Sequence, residues 1–216
     1  MSGFLLVSLI LFPLLGSLVS WPARLRQRIA PAYTLVPILQ LLIVVSLWTT
    51  VQDGNRLLLA WPWLPGLGLN LSLALDGLSW LFAGLISGVG VLIFAYAAAY
   101  MRDDPTLPRL YRLLLLFNAA MMGIVLADNL ILLIVFWELT SISSFLLIGF
   151  RSQRAAACEG ASKAFGITVS GGLVMMFGVF LVHAEHGTFE LSVLLSGPTP
   201  ISTAAGLCFL AGAFTK

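Results

Sequence analysis

Seven stretches of this sequence are long, apolar and almost free of charge: residues 4–19, 34–51, 77–100, 110–127, 130–150, 164–181 and 201–216. About 20 mostly apolar residues carry a helix across a bilayer core, so each run has about the length of one membrane crossing. Composition agrees. Of 216 residues 60% are hydrophobic and 9% charged, where a soluble domain has roughly 45–50% and about 25%. This excludes a soluble globular domain, a disordered chain and a basic nucleic-acid binder, and mean hydropathy is +1.04. A net charge of +2 implies no anionic partner. The expected fold class is an all-α polytopic membrane protein of about seven transmembrane helices. The first run lacks a basic leader and is followed by WPARLRQR rather than a small-residue cleavage site, so it is expected to be a retained helix. Cys158 and Cys208 lie in different segments without a CxxC pattern and read as small apolar residues.

Basic residues fix the expected orientation. Arg24, Arg26 and Arg28, then Arg102, Arg109 and Arg112, then Arg151, Arg154 and Lys163 fall in alternate connections, nine of the 11 cations; Arg56 and Lys216 are the others. The intervening connections carry Asp53, Asp128, Glu185 and Glu190. The positive-inside rule then places the N-terminus outside the cytoplasm. After the second run, Leu67, Leu69, Leu71, Leu73 and Leu75 alternate with small or polar residues, preceded by LLLAWPWLPG. Period two and the Pro65-Gly66 turn signal predict a short extracytoplasmic β-hairpin, with Trp61 and Trp63 at the membrane interface; an irregular loop at the headgroups is the alternative. The last run is only 16 residues and ends on a charge, which leads us to expect the N-terminal piece of a longer protein rather than a small complete one.

Glu138 lies eight residues after Leu130 and twelve before Phe150, near mid-membrane at about 1.5 Å per residue. A charge there costs at least ~2.5–3.5 kcal/mol on insertion scales. The carboxyl must be protonated, pair with a cation or face water between helices. Lys216 is also within the membrane and opposite in sign. The two are candidate coupled partners in a proton relay, or a fixed ion pair that orients two helices. Lys163 either snorkels to the surface or joins the relay at its loading end. His183, in the sequence HAEH, reads as a solvated loop residue or a surface proton handler; no third metal ligand accompanies His183 and His186. Thr140, Ser141, Ser143 and Ser144 follow Glu138 and either hydrate a proton path or pack a helix interface, with Ser141 on the Glu138 face. Asp128-Asn129 and Asp76 read as helix caps, and Gly166, Gly171 and Gly172 as a surface that lets another helix approach closely.

Three segments carry a family resemblance: DGLSWLFAGLISGVGVLIFAYAAAYM, DNLILLIVFWELTSISSFLLIGF and the final AGAFTK. They resemble the antiporter-like membrane subunits of respiratory complex I, and most of all the large A-type subunit of the Mrp-type multisubunit sodium/proton antiporters. FWELTSISSFLLIGF at 136–150 is the most specific part. The resemblance implies a longer protein with two inverted five-helix repeats. Residues 1–101 would be helices one to three, and 109–216 the start of the first repeat, cut within helix seven. It implies that Glu138 and Lys216 form the key pair of a proton channel, in a bacterial inner-membrane complex with other subunits, exchanging sodium or another monovalent cation for protons. Lipids surround it, and neither catalysis, cofactor, metal nor nucleic acid is implied. The alternative is a proton-pumping, non-catalytic subunit of a complex I-like (NADH-quinone oxidoreductase) or membrane-hydrogenase redox complex; a static membrane scaffold is the third class.

Overall fold

The structure is a computed structural model that describes residues 2–19, 26–64, 69–102, 104–197 and 200–216. Arg24 and the Pro65-Gly66 turn signal lie outside the described residues. The elements in order are α1 (Ser2–Leu18), α2 (Arg26–Ser46), α3 (Trp48–Val51), β1 (Leu57–Leu64), β2 (Leu69–Leu75), α4 (Gly77–Tyr100), α5 (Leu107–Leu126), α6 (Leu130–Ile148), α7 (Ala155–His186), α8 (Leu191–Ser196) and α9 (Thr203–Phe214). Among the described residues five helical stretches are long and apolar enough to span a membrane: Ala32–Val51, Gly77–Tyr100, Leu107–Leu126, Leu130–Ile148 and Ala155–His186. α1 and α9 are apolar but shorter, at 17 and 12 residues.

The chain divides into two compact units, Met1–Leu57 with Leu75–Val125, and Leu58–Ala74 with Leu126–Lys216. In the first, Pro13 sits inside α1. Proline has no N–H, so it strands the carbonyl four residues back. The fully buried Gln40 of α2 supplies the missing donor: its Nε2 donates to the Leu9 carbonyl at 2.7 Å. A second backbone irregularity separates α2 from α3 at Leu47, whose N–H reaches both Ile43 and Val44. The Trp80 indole of α4 also donates to the Val44 carbonyl, at 2.7 Å. Tyr33, Phe94 and Tyr111 stack at centroid distances of 5.2 Å to form the core of this unit. Asp76 closes a capping box on α4: its carboxylate accepts from the Ser79 N–H at 2.9 Å, and the Ser79 hydroxyl accepts from the Asp76 N–H at 2.7 Å. Arg56 lies 3.3 Å from the same carboxylate.

In the second unit β1 and β2 pair in a two-stranded sheet, antiparallel because a four-residue connection permits nothing else. Trp61 and Trp63 are exposed. The alternation of leucines does not set the alternation of burial: Leu71 is exposed, while Ser72, Leu73, Ala74 and Leu75 are all buried. Chain covers this end of β2, since the Ser72 carbonyl accepts from the Asp128 N–H at 2.9 Å and Leu73 bridges Ala127. Asn129 caps α6, accepting from the N–H groups of Ile131 and Leu132, and donates to Glu190 Oε1 at 3.0 Å. Asn70 of β2 donates to that same oxygen at 3.0 Å. Asp128 takes the N–H and hydroxyl of Ser192, so it caps the short α8 rather than α6. Beneath this polar layer Leu130, Ile134, Met175, Val179, Val182, Phe189 and Ala205 form a core between α6, α7 and α9.

The sixth apolar run is the centre of a longer helix. α7 has 32 residues, or about 48 Å at 1.5 Å per residue, against about 30 Å of hydrocarbon. Its polar first turns and its HAEH end extend past the apolar centre, where hydropathy carries no signal. The loop expected at HAEH is therefore the last turn of α7, ended by Gly187 at φ 69°. The six-residue α8 was not anticipated.

Candidate functional site

The site is built on one turn of α6. Glu138 is half-buried, ninth of the 19 residues of the helix. Its carboxylate rests against α7 at Gly172: a β-carbon there would collide with Oε1 and stand 3.0 Å from Cδ. Gly171 does the same for the residue before Lys216, since its β-carbon would strike the Thr215 side chain. Gly212 of α9 continues the contact, 2.7 Å from Met175 Cβ for an added β-carbon. The glycine pair thus brings a residue of α6 and the end of α9 onto the same turn of α7, the close approach expected from GITVSGG. Gly166 faces open space.

Lys216 also reaches α6. Its Nζ donates to the Ser141 hydroxyl at 2.7 Å and to the Trp137 carbonyl at 3.1 Å, and lies 5.0 Å from the centroid of the Trp137 ring. Arg56–Asp76 and Lys163–Glu159 are ion pairs elsewhere in the chain. Glu138 and Lys216 make no direct ion pair. The amine is held by neutral groups and the carboxylate is seated on glycine.

The remaining candidates divide by position. Ser141 joins the site. Thr140 and Ser143 are fully buried, but their hydroxyls donate to α6 carbonyls: Thr140 to Trp137 at 2.6 Å, Ser143 to Leu139 at 2.8 Å. Ser144 is half-buried on the same helix. Lys163 is exposed and paired with Glu159 at 2.6 Å, one turn earlier on α7. His183 stacks on Phe189 at 3.9 Å, and its Nδ1 is buried without a hydrogen-bond partner among the described residues. Neither joins the Glu138 turn. Trp137 was missed by the sequence reading, because an aromatic in an apolar run looks like core. Its carbonyl and ring are nonetheless what Lys216 touches.

Two family sequence models match. Residues 61–111 match the family described as NADH-ubiquinone oxidoreductase (complex I), chain 5 N-terminus. Residues 127–216 match NADH:quinone oxidoreductase/Mrp antiporter, TM, which contains the whole site. A relative from Rhizobium meliloti (strain 1021), named as a probable K(+)/H(+) antiporter A/B subunit, is 41% identical over 98% of this chain and 22% of its own length. The Na(+)/H(+) antiporter A1 subunit of Staphylococcus haemolyticus (strain JCSC1435) is 41% identical over 84% of this chain and 23% of its own. The chain therefore spans less than a quarter of the curated relatives it matches. Among solved structures, the Mrp complex from Dietzia sp. DQ12-45-1b superposes with TM-score 0.81 at 25% identity, covering 99% of this chain and 23% of that one. An archaeal membrane-bound sulfane sulfur reductase shares the fold, with TM-score 0.75 at 18% identity over 98% of this chain and 33% of that one. The chain belongs to the NADH:quinone oxidoreductase/Mrp antiporter family of membrane subunits, and corresponds to the N-terminal portion of the large A-type subunit of that family.

Proposed function

We propose that this chain is the N-terminal part of the large membrane subunit of a multisubunit monovalent cation/proton antiporter, and that Glu138 and Lys216 are coupled members of its proton path. One observation carries this. A carboxylate and an amine sit on the same turn of α6, seated separately, on Gly172 and on the Trp137–Ser141 face. Two opposite charges in a medium of low dielectric interact strongly, so moving either one, or neutralising it with a proton, changes the energy of the other. Protonating Glu138 removes the attraction that draws Lys216 toward it, and frees the amine to move.

In this reading α1 and α9 also cross the membrane, making about seven spans, with the N-terminus and the hairpin on the extracytoplasmic side of a bacterial inner membrane. Residues 1–101 hold helices one to three, and 109–216 begin the first inverted repeat. Other antiporter subunits are the partners. Sodium is the proposed cation; the names of the two relatives given above, one for potassium and one for sodium, support a monovalent cation. His183 stands in the last turn of α7 and Lys163 is exposed at its ninth residue, the proposed surface-side members of the path. The redox-complex reading rests on the shared fold and the complex I family match at residues 61–111. The 41% identity to antiporter subunits over nearly the whole chain favours the antiporter.

The test is Glu138→Gln in the complete complex. Cation-dependent proton movement in everted vesicles is expected to be lost while assembly is retained. Wild-type exchange in assembled complexes would remove Glu138 from the path.

A further inference from the structure

We propose that Trp137 is a positioning residue that, with Ser141, forms a neutral resting station for the Lys216 ammonium. The proposal rests on the Glu138–Lys216 reading and adds a second place for the amine. Residues four apart share a helix face, so Trp137 and Ser141 present one surface; Glu138, one residue on, points about 100° from Trp137, and Ser141 lies between the two. On that surface Nζ meets three uncharged acceptors: the Trp137 carbonyl at 3.1 Å, the Ser141 hydroxyl at 2.7 Å and the indole face at 5.0 Å. A cation within about 6 Å of a ring centroid is attracted by the ring quadrupole, and indole binds it best of the aromatic side chains.

The ring is fixed independently of the lysine. It packs on the core between α6, α7 and α9. Its Nε1 is buried with no hydrogen-bond partner among the described residues, so packing and not a hydrogen bond sets its angle. The Ser141 hydroxyl is oriented too, because it donates to the Trp137 carbonyl at 3.3 Å while accepting from Nζ. Lys216 therefore has two hosts within one turn of α6, a neutral one and the carboxylate. Strength at the neutral host keeps the amine from locking onto Glu138, and so sets how readily it is released.

The test uses the complete antiporter in everted vesicles, with mono-, di- and trifluorinated tryptophan placed site-specifically at position 137. Fluorine weakens the ring face stepwise and leaves its shape nearly unchanged. We expect the exchange rate to fall about threefold to tenfold across the series, each fluorine adding to the loss. The same series at Trp80, which binds the Val44 carbonyl, should leave the rate flat. Lys216→Ala separates the two levels. If Lys216→Ala abolishes exchange and the position-137 series is flat, the station is wrong and the pair stands. If Lys216→Ala keeps wild-type exchange, the pair reading itself fails.

Discussion

Gly172→Ala probes the seat of Glu138 without touching the carboxylate. The new methyl would overlap Oε1, and would lie 3.0 Å from Cδ and 3.5 Å from Trp137 Cδ1. The obstructed atom is the tip of a flexible side chain, so the carboxylate swings away and α6 and α7 hold their spacing. Alanine in place of a helical glycine gains about 0.5–1 kcal/mol, and forcing an extra methyl into a packed contact costs about 1–3 kcal/mol. The net is a loss of at most about 2.5 kcal/mol, small enough for assembly to survive. Function is more sensitive, because an ångström of misplacement in a working group costs on the order of 100-fold. Exchange in vesicles is expected to fall about 10- to 100-fold, with little change in the melting temperature of the purified complex. Gly166→Ala on the same helix meets nothing within 4 Å; it should keep the rate and gain up to about 1 kcal/mol. Wild-type exchange by an assembled Gly172→Ala complex would refute the seat.

Three further expectations concern stability, read from thermal melting of the purified complex. Gln40→Leu strands the Leu9 carbonyl and should cost about 1–2 kcal/mol; adding Pro13→Ala restores a backbone N–H for that carbonyl and should recover much of the loss, and no recovery would mean that Gln40 acts by packing alone. Asp76→Ala should cost about 1 kcal/mol as a lost cap. Burial pushes the Asp76 carboxyl up, but the two bonds with Ser79 and the Arg56 charge pull it further down, leaving it below its ordinary value. Its stabilisation is therefore present above the ordinary carboxylate range near pH ~4 and is lost as pH falls through the lower folded value, so the variant should lose stability less steeply in acid, and an unchanged acid slope would count against the capping account. Asn129→Ala removes the α6 cap and one of two donors to Glu190; a loss of about 1–2 kcal/mol is expected, and a neutral result would show that Asn70 alone holds the layer.

What the sequence made legible follows from how each signal is written. Apolar runs mark the centres of α2, α4, α5, α6 and α7, because hydrocarbon is a harsh and uniform solvent. Hydropathy ends where the lipid ends, so the polar extensions of α7 were invisible and HAEH looked like loop. The hairpin was legible from period two, but which side of β2 is buried was not, since Asp128 and Ala127 cover it from a distant part of the chain. The carboxylate and the lysine stood out because charges are rare in such runs, and the glycine pair because small residues permit close approach. Trp137 was hidden for the opposite reason, as an aromatic among apolar residues. Pro13 and Gln40 were not singled out in the sequence, since they lie in separate apolar runs; only the fold joins the missing N–H to the side chain that replaces it.

The most direct measurement of coupling is a double-mutant cycle on exchange rate with two partly active variants, Glu138→Asp and Lys216→Arg, and their combination, in the assembled complex. Arginine stays charged and differs in shape, so each single change is expected to slow exchange without abolishing it. If the two side chains work as one unit, the double variant should be about as slow as the slower single. Losses that multiply would mean that the carboxylate and the amine act independently, which contradicts the account.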